Sequence, residues 1–141
     1  MKLSRRLLLA AAATLPIAAQ AEEWKPSQPI KLIVPYPPGG LTDVLGRLVG
    51  ERLQSAFGQP AVIDNKPGAA TQLGASMVAK APPDGHTLLL ATVSTLAITP
   101  ALYTKPLIHH TDFAPVAMMG RVVLFLVCRP DLPAKDPKEL V

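Results

Sequence analysis

The sequence predicts an α/β fold with a parallel sheet covered on both faces. Two observations carry this. Short apolar runs alternate with stretches whose apolar residues recur every three or four positions, and Gly- and Pro-rich turns separate them. Once the first 21 residues are set aside as a leader, the remaining 120 are enough for one ordinary domain.

The elements follow in order. "IKLIVPY" from Ile30 reads as a strand. "LTDVLGRLVGERLQSAFG" places Leu41, Val44, Leu45, Leu48, Val49, Leu53 and Phe57 at spacings of three and four, an amphipathic helix that Gly58 stops. "AVID" from Ala61 is a second strand. "TQLGASMVAKA" from Thr71 is an alanine-rich second helix, ended by the turn "PPDG" at 82–85. "HTLLLATV" from His86 is a third strand, and "STLAITPALY" a short helical or irregular piece. After "DFAPVAMMG" comes the apolar run "VVLFLVC" from Val122. In "AKDPKELV", Asp136 suits an N-cap, Pro137 the first helical position, and Glu139 the far corner of a capping box. The chain stops at Val141, about one turn into that helix. An isolated turn does not offset its own nucleation cost, so truncation inside a helix is the expectation.

The leader has the three parts of a secretory signal. Lys2, Arg5 and Arg6 precede an apolar run over residues 7–19, and Ala19-Gln20-Ala21 forms an A-x-A site, so cleavage is expected after Ala21. The run is shorter than the ~20 residues a membrane-spanning helix needs, and Thr14 and Pro16 interrupt it. Ser4-Arg5-Arg6 before leucines also fits a twin-arginine signal, and both export routes stay open. Three of the 14 basic residues and none of the 10 acidic ones lie in the leader, so the remainder carries a net charge of only +1. With aromatics at 4% and no Lys/Arg run, a nucleic-acid partner is excluded. Cys128 is the only cysteine. It cannot form an internal disulfide and lies far from any lipid-attachment position, so it is expected to be a small buried hydrophobe.

The loop "PYPPGGLT" joins the first strand to the first helix. In an open α/β sheet ligands bind outside the carboxyl ends of the strands, which is where this loop lies. Gly39 and Gly40 let backbone approach a guest closely, and the helix start behind them offers unpaired N–H donors, so an anion is the natural ligand. A phosphate loop would need Lys-Ser/Thr after the glycines, and Asp43 follows instead. A dinucleotide site, with Asp64 as the ribose acid, is the alternative from a different class and would make the chain part of a nucleotide-cofactor enzyme. G-x-G-x-x-G is absent, however, and Pro37 and Pro38 remove two donors. A carboxylate needs only two or three. Two further loops converge on the same edge. "NKPGAAT" ends at Thr71, a candidate N-cap, and "TVST" carries Thr92, Ser94 and Thr95. Hydroxyls and helix-start amides hold carboxylates without a buried Lys or Arg.

These residues carry a resemblance. "YPPGG..D", "N+PGA", "A.APPDG.TLL" and "DFAPV", in this order and over essentially the whole chain after the leader, resemble the Bug family of bacterial periplasmic substrate-binding proteins, receptors of tripartite tricarboxylate transporters. The resemblance implies a periplasmic-binding-protein-like, two-domain Venus-flytrap receptor. It closes on a small organic anion such as a carboxylate, with membrane permease subunits as partners and no cofactor. Residues 22–120 would then form part of the first domain, and 121–141 the crossover and start of a truncated second. Carried over by position, Tyr36, Gly39, Gly40 and Asp43 form the first ligand loop, Ala70 and Thr71 the second, and Thr92, Ser94 and Thr95 the third. The chain departs from the family pattern in two places. Thr71-Gln72 stands where glycine then Asn is common, and "TLAITP" where "THAINP" is common.

No catalytic residue is expected. Asp43 fits a loop-fixing cap or an acceptor for a ligand hydroxyl or ammonium, and a general base would need a reactive partner the sequence lacks. His109-His110 reads as a solvated loop pair, since adjacent side chains diverge and no metal-ligand spacing supports them. The expected function is a carboxylate-binding receptor without chemistry, against an enzyme domain or the remnant of a truncated gene.

Overall fold

The computed structural model describes residues 24–123, 125, 127–129, 131–133 and 136–140. The predicted leader lies outside them. Three parallel strands, β1 (Ile30–Val34), β2 (Ala61–Asn65) and β3 (Thr87–Leu89), form a sheet in the order β2-β1-β3. β1 is central because its apolar run can be buried on both faces, with Ile30, Leu32 and Val34 on one and Ile33 on the other. Ile30 stands opposite Ala61, and Leu32 opposite both Ile63 and Leu88.

Helices α1 (Leu41–Phe57) and α2 (Gln72–Ala79) cross between the strands. The step from β1 to β2 runs one way along the sheet, and the step from β2 to β3 runs back past β1. Right-handed crossovers therefore place α1 and α2 on opposite faces. Leu32, Val34 and Leu90 make the core under α1, joined by Tyr36, Leu45, Val49, Ile63 and Leu88. The third strand is shorter than the sequence suggests, because only Thr87–Leu89 find ladder partners on β1.

The buried face of α1 differs from the apolar stripe read in the sequence. Leu41, Val44, Leu48 and Phe57 are exposed, and the buried positions are Asp43, Gly46 and Gly50. Glycines in a helix cost about 1 kcal/mol each relative to alanine. Here they bring the helix axis close to the sheet: a Cβ on Gly46 would stand 2.9 Å from Val34 Cγ2, and one on Gly50 2.7 Å from Ile63 Cδ1. The helix ends where Gly58 turns left-handed (φ 69°) and its amide donates to the Gln54 carbonyl at 2.9 Å.

After β3 the chain makes a wide π-helical turn, Ser94–Ile98, and a four-residue helix α3 (Thr99–Leu102). Ile108 is buried, and the Leu107 amide donates to Gln72 Oε1 at 2.5 Å, tying this stretch to α2. His109 and Asp112 then close a short 3₁₀ turn reciprocally; both histidines are exposed. From Ala114 to Arg129 the described residues are exposed and form no helix or strand. Cys128 is exposed among them, against the expectation of burial, because no described element covers its segment. The Asp136 carboxylate accepts from the Lys138 and Glu139 amides, capping a 3₁₀ turn at Pro137–Leu140. No described helix is long and apolar enough to cross a membrane.

Candidate ligand-binding site

All three predicted loops leave the carboxyl edge of the sheet. Leu90 N donates to Ile33 O at 2.9 Å and Lys66 N to Val34 O at 2.8 Å, so the loops after β3 and β2 start beside the loop after β1. Side chains then join them. Tyr36 Oη shares a 2.6 Å hydrogen bond with Thr92 Oγ1 and a 3.4 Å one with Thr95 Oγ1. Asn65 Nδ2 donates to the Tyr36 carbonyl at 3.2 Å. The turn Ala69–Thr71 touches the π-helical turn, closing the ring. The crevice between β1 and β3, where successive crossovers diverge, is where open α/β sheets take ligands.

The first loop is organised by Asp43. Its Oδ2 accepts the Gly39 amide at 2.9 Å and Arg47 Nε at 3.1 Å, while the carboxylate itself is buried. The Gly39 amide, then the Arg47 guanidinium, hold the Asp43 carboxyl below its ordinary range against the opposing effect of burial, and the neighbouring Asn65 side chain adds to the lowering. This acid thus occupies a donor that the sequence assigned to a ligand. The amides of Leu41 and Thr42 donate to no acceptor among the described residues and open at an exposed or half-buried rim. Gly39 needs its φ of 85° to turn the chain there.

The second loop is strained. Ala69, Ala70 and Thr71 have φ of 46°, 50° and 78°, a left-handed run without a glycine. Each such residue costs roughly 1–2 kcal/mol, and strain of this kind collects at ligand clamps. Thr71 immediately precedes α2, as a cap should, but makes no side-chain cap bond, and its Oγ1 is buried without a partner. Its left-handed backbone turns the hydroxyl away from the geometry a cap requires. The Gln72 amide donates to the Ala69 carbonyl and the Leu73 amide to the Gly68 carbonyl at 3.4 Å, so the backbone of this turn is closed on itself.

Ser94 and Thr92 are half-buried, Ala70 is exposed, and Thr95 is fully buried, where its hydroxyl supports Tyr36. Sequence reasoning missed Asn65 and Arg47, and named Gln72 only as a departure from the family pattern. Arg47 was findable, standing four residues after Asp43 on one helix face. An open groove of about 480 Å³ is lined by Leu96, Ala97, Pro100, Ala101, His109 and His110, and by none of the nine predicted residues.

An open parallel α/β domain with its crossover loops knitted together at the carboxyl edge defines the class, a periplasmic-binding-protein-like solute-binding domain. A family model described as "Tripartite tricarboxylate transporter family receptor" matches residues 45–141. The chain belongs to that family. BugT of Bordetella pertussis is 42% identical over 126 residues, covering 85% of this chain and 38% of BugT. The structure of MatC from Rhodopseudomonas palustris with bound malate is 38% identical with a TM-score of 0.64, over 67% of this chain and 32% of MatC. A TctC solute binding protein from Polaromonas is 41% identical with a TM-score of 0.54, over 64% and 31%. The chain thus spans about two fifths of the length of BugT, 38%.

Proposed function

We propose that this chain is the ligand-holding first part of a periplasmic receptor for a small organic carboxylate, which passes it to membrane permease subunits and performs no chemistry on it. The observation that carries the reading is the ring of loops at one sheet edge, with the unpartnered Leu41 and Thr42 amides on one side and the Tyr36, Thr92 and Ser94 hydroxyls on the other. The malate bound by MatC supports a carboxylate ligand. Tyr36, Gly39, Gly40, Asp43, Ala70, Thr71, Thr92, Ser94 and Thr95 divide into those that face the guest and those that hold them. Asp43 and Thr95 belong to the second group, since both are buried and engaged. Residues 1–21 act as the export signal, residues 22–120 belong to the first domain, and residues 121–141 lead into a second that closes over the ligand.

The test is a titration of the 22–141 chain with malate, citrate and NAD, followed by amide NMR. Enclosure by one side only predicts millimolar dissociation constants for the carboxylates, with shifts at Gly40, Leu41, Thr42 and Thr92. Micromolar affinity would show that no closing partner is needed. Shifts produced by NAD alone would transfer the site to a nucleotide-cofactor domain.

A further inference from the structure

At the rim opposite the candidate site, residues 24–29 run past the turn before β3 on their way into β1. Trp24 Nε1 donates to the Asp84 carbonyl at 3.0 Å, and the indole meets Phe57, at the end of α1, edge-on at 5.6 Å. Pro26 is buried, and the exposed Ser27 donates its amide to His86 Nε2 at 3.2 Å. His86 stands under the middle of this strap, its ring 5.6 Å from the indole. Of the three histidines in the chain it alone is not exposed, with its side chain at 12%.

The two ring nitrogens of His86 meet opposite demands. Because Nε2 accepts the Ser27 amide, the proton of the neutral imidazole sits on Nδ1. That atom is buried 3.3 Å from Asp84 Oδ1, out of line for a hydrogen bond. The same oxygen accepts the His86 amide at 3.0 Å; this amide above all, with the His86ring adding to it, holds the Asp84 carboxyl below its ordinary range against the opposing effect of burial. An anion so close favours a charged ring. A second ring proton, however, must go to Nε2, where it brings two N–H donors face to face. The other charged groups around the ring are Lys25, exposed in the strap, and Lys31 on β1, whose side chain is exposed and whose amide donates to the His86 carbonyl at 2.7 Å. Residues 54–57, the last turn of α1, carry no charge.

We propose that His86 is a proton-operated latch on the strap: neutral, it holds the Ser27 amide to the turn before β3, and protonated, it draws toward Asp84 and lets Ser27 go. The proton enters on Nε2 from solvent, Nδ1 keeps the one it has, and no bond between heavy atoms changes. Release removes the fastening between Trp24 and β1. The indole, already 44% exposed, then opens locally while the sheet stays formed. Acid thus loosens this rim through one side chain, whatever the opposite rim binds.

Trp24 is the only tryptophan, so acrylamide quenching of its emission reads the strap directly in the full chain. The quenching constant is expected to rise about twofold in one step between about pH 8 and pH 5, at constant far-UV circular dichroism. His86→Gln keeps an acceptor for Ser27 and takes no proton, so its profile is expected to stay flat. Asp84→Asn keeps an acceptor for the His86 amide but removes the anion that favours the charged ring, so its step is expected at lower pH than in wild type. Ring nitrogen-15 NMR at about pH 8 is expected to place the His86 proton on Nδ1. A flat wild-type profile, the same step in His86→Gln, a step that Asp84→Asn leaves in place, or a proton on Nε2 at the alkaline end overturns the latch. If His86→Gln does not fold, the Asp84→Asn shift and the ring NMR decide alone.

Discussion

Asp43 shows how one buried acid fixes the loop between β1 and α1. It takes the Gly39 amide and the Arg47 guanidinium, and these hold its folded-state pKa below the unfolded one. A depressed carboxylate contributes stability that is fully present above the unfolded pKa, near 4, and is lost as pH falls through the lower folded value. Asp43→Asn is therefore expected to be less stable than wild type at neutral pH, with the gap closing in acid. Asp84, held below its ordinary range mainly by the His86 amide, titrates in the same direction in both proteins, so the difference isolates Asp43. Urea midpoints between about pH 7 and pH 3 measure it, and a gap that stays constant with pH contradicts an ionised clamp. Thr71 offers the complementary test. Its φ of 78° suits the glycine common at that position in the resembling family, and its hydroxyl is buried without a partner. Thr71→Gly is expected to raise stability by about 1–2 kcal/mol, read from the same midpoints, and no gain would mean that the hydroxyl has a hidden partner. The convergence of the three loops was legible in the sequence. Tandem glycines before a helix and hydroxyls after a strand name the loops that meet. The left-handed Ala69-Ala70-Thr71 run was not legible, since alanine and threonine resist that conformation and only the surrounding fold enforces it.

At the level of elements, α1 separates what periodicity reveals from what it hides. The spacing of Leu41, Val44, Leu45, Leu48 and Val49 locates the helix correctly, but rotates its inner face toward bulky residues. The contact is set by Gly46 and Gly50, which no hydrophobic count rewards. Their environments differ in a way that a substitution can read. The methyl facing Gly46 belongs to Val34, a stiff β-branched side chain fixed in the central strand, whereas Gly50 faces the flexible Cδ1 end of Ile63 on an edge strand. Gly46→Ala is expected to destabilise by about 1–3 kcal/mol through overpacking. Gly50→Ala is expected to fall within about 1 kcal/mol of wild type, because the gain in helix propensity offsets a small shift of Ile63. Chemical denaturation decides between them, and equal losses at both positions would refute the argument from side-chain stiffness. The strands were the easier part of the fold. Apolar runs bounded by "PPDG" and by Gly58-Gln59-Pro60 leave little choice of boundary, and β3 is short only because its ladder with β1 ends at Leu89.

Over the whole molecule, the chain passes from a packed sheet to a stretch that no described element covers. Val116, Phe125 and Val127 are 84%, 81% and 83% exposed, and Met118, Val122 and Val123 are exposed beside them. The apolar character of 122–128 was plain in "VVLFLVC", but a sequence cannot show whether a partner surface is present, which is why burial of Cys128 was expected and exposure was found. Among the described residues both β2 and β3 present an open edge, since a sheet of three strands in the order β2-β1-β3 pairs only β1 on both sides. Unpaired edges and a long exposed apolar strand former are complementary hazards, because each supplies the backbone partners and apolar cover the other lacks. The 22–141 chain is therefore expected to self-associate at micromolar concentrations. Replacing Val123, Phe125 and Val127 by Ser together should shift it toward monomer in sedimentation velocity, with the far-UV circular dichroism unchanged because these exposed residues belong to no helix or strand. A wild-type chain that sediments as a monomer across the concentration range, or a triple variant that associates just as strongly, would place the sticky surface elsewhere, with the exposed Leu41, Val44 and Leu48 stripe of α1 next in line.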